Sequence, residues 1–201
     1  MKKKFNTKVI HSGHGPDKET GAVMPPIHLS STFKQMEPGN FEYEYARTKN
    51  PSRDVLEKLL AQIESGDKAF AFASGMSAIN TVCDLFGTNY HIVCSDDVYG
   101  GTRRLFDKVK SNIDVTYIDF DKNINWNDEI KENTKFIWIE TPSNPLMKII
   151  DIKNTVNIAS EFKLPVICDN TFASPYNQRP LELGADTVSY THLRAHETPR
   201  Y

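Results

Sequence analysis

Over residues 1–50 no apolar period persists, because Gly13, Gly15, Pro16, Gly21, Pro25, Pro26, Pro38 and Gly39 interrupt each run. This stretch predicts an extended arm without regular packed elements. At Asn50-Pro51 the pattern turns helical. An asparagine suited to capping and a proline suited to a first turn precede Val55, Leu56, Leu59, Leu60 and Ile63 at helical spacing, and Ser65-Gly66 ends the run. One helix with a single buried stripe is expected there.

Beyond Lys68 the pattern becomes short, fully apolar runs at 69–73, 91–94, 115–120, 136–139 and 166–168, the signature of strands buried on both faces. Segments 77–86, 102–110 and 152–162 carry helical patterns between them. Such alternation predicts an α/β fold with a mostly parallel, doubly wound sheet. In these sheets ligands bind at the carboxyl ends of the strands, so the chemistry is sought there.

Each strand end offers a feature with two readings. Ser74-Gly75-Met76-Ser77 enters a helix and would present free amides and a positive dipole end to an anion, but such turns are common in α/β proteins. Gly100-Gly101 permits close approach by a ligand and leaves the Tyr99 ring free to stack on a heteroaromatic group, or simply to pack on the domain. In Glu140-Thr141-Pro142-Ser143-Asn144-Pro145 the prolines stiffen a loop whose Asn144 can orient a ligand or bond its own backbone. Asp169, followed by Asn170-Thr171-Phe172, places a carboxylate at a central strand end, where it needs a cationic ring nitrogen, a salt bridge or a cap. In the arm, Arg47 is a candidate phosphate clamp or a solvated surface arginine.

Composition narrows the field. A chain of 201 residues with 39% hydrophobic and 25% charged residues and a formal net charge of -2 has no electrostatic preference for nucleic acid or a membrane surface. No run approaches the ~18 apolar residues of a membrane span, and the lysines after Met1 lead into polar residues where a signal peptide would be apolar. Cys83, Cys94 and Cys168 lie far apart without metal spacing and suit a reducing cytoplasm. Small-molecule chemistry is therefore expected. A nicotinamide- or nucleotide-binding reading ranks well below the others, because Ser74-Gly75-Met76-Ser77 is too short for a glycine-rich fingerprint.

Taken in order, Pro25-Pro26-Ile27, Ser31-Thr32-Phe33, Tyr45-Ala46-Arg47-Thr48, Asn50-Pro51, Phe72-Ala73-Ser74-Gly75-Met76, Asp97-Val98-Tyr99-Gly100-Gly101-Thr102, the Glu140 to Pro145 loop and Asp169-Asn170-Thr171-Phe172-Ala173-Ser174-Pro175 resemble the transsulfuration family of pyridoxal-phosphate enzymes. The likeness runs from about Thr7 to Val188 and leans towards cystathionine γ-lyase and γ-synthase, with methionine γ-lyase and O-acylhomoserine sulfhydrylase as alternatives. It implies pyridoxal 5'-phosphate as cofactor, a sulfur-containing amino acid as substrate, and the large domain of a fold-type I transferase. It also implies roles for residues. Gly75 and Met76 would hold the cofactor phosphate by backbone amides, with Tyr45 and Arg47 supplied by a neighbouring subunit. Tyr99 would stack on the ring and move protons, Asp169 with Thr171 beside it would pair with the ring nitrogen, and Asn144 would lie near the ring hydroxyl. The parent would be a homotetramer built from dimers with shared sites.

One departure is located. The family's imine-forming lysine follows a Gly-Ala-Asp strand, yet after Gly184-Ala185-Asp186-Thr187-Val188 no lysine occurs and Arg194 falls at its register position. A guanidinium stays protonated and cannot form the imine. Residues 189–201 are accordingly read as a foreign tail. Residues 1–50 are read as the arm reaching a neighbouring subunit, 51–188 as a truncated cofactor-binding large domain, and the C-terminal domain as missing. The chain itself is expected to be a catalytically inactive fragment of an active parent. His192 and His196 stand four apart without a third ligand, and no metal site is assigned.

Overall fold

The computed structural model describes residues 4–191 and divides the chain into two compact units, Met1–Ala71 and Phe72–Tyr201. In the first, α1 (Phe5–His11) precedes a long irregular segment, and α2 (Pro51–Glu64) follows. Asn50 caps α2 as expected, its side chain accepting from the amides of Ser52 and Arg53 at 2.8 and 3.4 Å, and Ser65 closes the helix in the left-handed conformation. Two expectations change. The arm contains α1, a helix of seven residues where breakers predicted none. The α2 stripe does not bury evenly: Ala61 and Ile63 are buried with Asp54 and Glu64, whereas Leu56 is 39% exposed.

The arm is tied to α2 by polar contacts. The Tyr43 hydroxyl donates to buried Asp54 at 3.0 Å, and the Arg53 guanidinium donates to the carbonyls of Ala46, Arg47 and Thr48. Thr32 bridges Tyr45 in antiparallel fashion. Segment 45–48 is thus held by Arg53 and by the bridge to Thr32 rather than by burial.

The second unit is a five-stranded parallel sheet with strand order β2-β1-β3-β4-β5. Its strands are β1 (Tyr90–Ser95), β2 (Ile113–Ile118), β3 (Thr134–Glu140), β4 (Val166–Asp169) and β5 (Thr187–Ser189). Helix α3 (Gly75–Asp84) precedes β1, and α4 (Gly100–Arg104), α5 (Trp126–Glu129), α6 (Ile152–Glu161) and α7 (Ser174–Asn177) lie in the connections between strands. Strand alternation splits the core into two layers. Ile92, Cys94, Phe136, Trp138 and Ile167 face Ile79, Cys83, Leu105 and Phe106. Val93, Ile137, Ile139, Val166 and Cys168 face Ile152 and Ala159 of α6. Helices on both faces of a parallel sheet make the expected doubly wound architecture.

Some boundaries move for physical reasons. Residues 69–73 form no ladder, since an apolar run becomes a strand only beside a partner, and Phe70 and Phe72 stay 71% and 43% exposed. The helix expected over 102–110 begins at Gly100 and widens after Arg104 into a π turn, Leu105–Val109. The strand expected over 115–120 starts at Ile113 and stops at Ile118, in register with β1, while Phe120 packs on the α6 side. Among the described residues no helix is long and apolar enough to cross a membrane, and no cluster of metal-ligating side chains is present.

Candidate functional site

The carboxyl ends of β1, β3 and β4 meet the first turns of α3 and α4. The Ser74 hydroxyl caps α3 by accepting from the Ser77 amide at 3.1 Å. Helix geometry leaves the Gly75 and Met76 amides without intrahelical acceptors, so they form an anion-binding end. Space at Gly75 is tight in this chain: a Cβ there would stand 2.3 Å from the Thr191 Cα. At Gly101 a Cβ would stand 2.4 Å from Cε1 of Tyr99 and 3.0 Å from Sδ of Met76. The expected close approach at the glycine pair is therefore made at Gly101, and the group it admits is the protein's own aromatic ring.

Tyr99, Glu140, Asn144, Asp169, Thr171, Phe172 and Thr191 line a small cavity of about 50 Å³. A more open cleft of about 380 Å³ lies between Asn89, Ser111, Asn112 and Asn133, at the amino ends of the strands. Ligands of parallel sheets sit at the carboxyl ends, which favours the smaller cavity.

Asp169 is 2% exposed, and its Oδ1 accepts from the Thr171 amide at 3.0 Å and the Thr171 hydroxyl at 2.5 Å. Burial pushes its pKa up, while the two Thr171 bonds act in the opposite direction. No lysine or arginine among the described residues forms an ion pair with it. A desolvated carboxyl of this kind lacks the positive group that would make its charge favourable. A protonated ring nitrogen fits that deficiency, and the α3 amides fit a phosphate.

The Thr171 hydroxyl also accepts from the Thr191 amide at 2.8 Å, linking the β4 end to the chain beyond β5. Asn170 braces the same corner, its Nδ2 donating to the Gln178 carbonyl at 2.8 Å and to the Tyr190 hydroxyl at 2.7 Å. The Asn144 loop contains two cis peptides, Thr141-Pro142 and Asn144-Pro145. Asp97 anchors it, accepting from the Ser143 hydroxyl and from the Leu146 amide at 2.9 Å. Asn144 makes no side-chain hydrogen bond to another described residue and borders the cavity.

Tyr99, Asn144, Asp169 and Thr171 thus converge on one cavity, with Gly75 and Met76 at the adjacent helix end. Tyr45 and Arg47 belong to the other unit, where the Arg47 guanidinium lies 4.9 Å from the Tyr45 ring centroid. Arg194, His192 and His196 lie outside the described residues. Sequence reasoning assigned no role to Glu140, which lines the cavity and accepts from the Tyr99 amide at 2.7 Å. The signal was available: an acid closing a buried apolar run is the pattern that singled out Asp169.

A parallel sheet with a free helix end, an aromatic ring and an unpaired buried carboxyl at its strand ends defines an α/β protein fitted to an anionic, ring-containing ligand. The match to known proteins specifies the class. Residues 6–194 match the family described as Cys/Met metabolism PLP-dependent enzyme, and the chain belongs to that family. It is 47% identical over 194 residues to the cystathionine gamma-lyase of Bacillus subtilis (strain 168), covering 95% of this chain and 51% of that protein. It is 44% identical over 194 residues to the cystathionine beta-lyase of Coxiella burnetii, covering 94% of this chain and 50% of that one. The crystal structure of a cystathionine gamma-lyase from Lactobacillus plantarum complexed with L-serine superposes with a TM-score of 0.88 at 47% identity, over 92% of this chain and 49% of that one. The chain therefore spans about half the length of the relatives it matches. The resemblance, the fold class and the pyridoxal-phosphate cofactor inferred from sequence all agree with these findings.

Proposed function

We propose that the whole protein is a pyridoxal-phosphate-dependent transsulfuration enzyme of the cystathionine γ-lyase or γ-synthase type, acting at the γ-carbon of cystathionine-like or homoserine-derived amino acids. The observation that carries this reading is the buried, cation-deficient Asp169 beside Tyr99 at the sheet's carboxyl edge. The cofactor, when bound, supplies an electron sink for charge developing on the substrate carbons. Asp169 holds the proton on the ring nitrogen, and Thr171 orients Asp169 by its amide and hydroxyl. Gly75 and Met76 bind the phosphate, Tyr99 covers the ring and serves proton transfer, and Asn144 orients the ring hydroxyl. Tyr45 and Arg47 complete a neighbouring subunit's phosphate site in a tetramer of paired dimers.

On this reading residues 1–50 are the exchanged arm, 51–188 part of the cofactor-binding domain, and 189–201 a foreign tail. The chain as it stands, with arginine at the lysine register position, is catalytically inactive. The three buried cysteines, none of them in a disulfide, accord with a cytoplasmic setting. A second reading, elimination at the β-carbon, is favoured by the relatives named cystathionine beta-lyase.

The two readings separate by products from the full-length protein given cystathionine. Elimination at the γ-carbon gives cysteine, 2-oxobutanoate and ammonia, and elimination at the β-carbon gives homocysteine, pyruvate and ammonia. Release of neither keto acid, and no cystathionine made from an acylated homoserine and cysteine, would overturn the assignment. In the same protein Arg47→Ala should weaken cofactor affinity, and a fully active monomer would count against the exchanged arm.

A further inference from the structure

Glu140 and Asp169 end neighbouring parallel strands in register, Glu140 opposite Asp169, at 4% and 2% exposure. Residues so paired lie about 5 Å apart at the backbone and project to the same face. The two carboxyls have different partners. Asp169 is held by Thr171, whereas Glu140 Oε2 accepts the Tyr99 amide at 2.7 Å. Tyr99 is the N-cap residue of α4 and its own side chain makes no capping bond. Glu140 therefore takes the place of a cap, fixing the backbone from which the Tyr99 ring projects. The backbone of Glu140 is pinned in turn by its amide donating to the Ser95 hydroxyl at 3.3 Å.

We propose that Glu140 is a positioning residue of the site, clamping Tyr99 through its backbone amide so that the ring stands over a pyridine held by Asp169. This rests on the reading that a pyridoxal-type ring binds between Tyr99 and Asp169. The charged and titratable groups facing Glu140 among the described residues are Asp169 from β4 and Asp97 and Cys94 from the β1 end. Burial first, and then the charges of Asp169 and Asp97, raise the Glu140 pKa to about 8 against the opposing pull of the Tyr99 amide. In the unliganded chain this favours the neutral form of Glu140 beside Asp169.

The experiment is binding of 4'-deoxypyridoxine 5'-phosphate to the cofactor-free full-length protein, followed by calorimetry from pH 6 to 9. This probe lacks the aldehyde and cannot join any lysine. E140Q keeps an acceptor for the Tyr99 amide, so its affinity should stay within about threefold of wild type at pH 7, with the step near pH 8 lost. E140L removes the acceptor and should weaken binding about tenfold, with far-UV circular dichroism unchanged. Wild-type binding matched by E140L overturns the proposal alone. If E140L fails to fold, E140D, whose carboxyl is one methylene shorter and falls short of the Tyr99 amide, decides in the same titration. A wild-type chain that does not bind the probe overturns the site reading, and the clamp with it.

Discussion

The Tyr99 ring lies where the side chain of residue 101 would be, so that a single Cβ at Gly101 would come within 2.4 Å of Cε1. The glycine is part of the aromatic wall of the cavity. Gly101→Ala should displace the ring and weaken 4'-deoxypyridoxine 5'-phosphate binding about tenfold, with a small stability change because ring rotation relieves the clash. Calorimetry and thermal unfolding of the same sample separate the two effects.

Asp169 carries a cost in the unliganded chain that its ligand removes. Because its pKa is raised in the folded state, the cost is absent below the ordinary carboxylate range and grows as pH rises through the folded value. Asp169→Asn should therefore stabilise the unliganded chain by about 1 kcal/mol at pH 8 and by less at pH 4, measured by urea unfolding. The same change should weaken probe binding about tenfold or more, since the ring nitrogen loses its charged partner. Equal losses of stability and binding would indicate a purely structural aspartate.

His91, near the start of β1, bonds the Thr134 hydroxyl at 2.7 Å and the Thr116 hydroxyl at 2.9 Å with no exposure to solvent. Burial lowers its pKa, reinforced by Lys131 and opposed by Asp114. The unfolded chain therefore takes up a proton before the folded one does, and stability should fall as pH drops below about 6.5. His91→Gln should flatten that acid limb in denaturant titrations between pH 7 and 5 while lowering stability at neutral pH.

Asn50 joins two tasks, capping α2 and donating from Nδ2 to the His28 carbonyl at 3.2 Å. Asn50→Ala should cost about 1 kcal/mol. Amide exchange should speed up in the first turn of α2 and around His28, leaving the protection of the five-stranded sheet unchanged. Probe affinity in the isolated chain should be unaltered.

Much of this protein was determined locally. Breakers and caps located α2, apolar runs at 91–94, 136–139 and 166–168 located β1, β3 and β4, and an ordered set of turn motifs marked the family. Those features are readable because each depends on neighbours in sequence: a cap needs the next three amides, and a strand buried on both faces needs only apolar residues. The tertiary structure decided what depends on distant partners. Residues 69–73 look like a strand and lack a ladder because no described segment pairs with them. Gly101 serves Tyr99, Gly75 makes room for Thr191, and Glu140 reaches the Tyr99 amide across 41 residues of chain. The same applies to Asp169: its sequence position implied a need for a counter-charge, but only the packing of β3, β4 and Thr171 around it left that need unmet within the described residues.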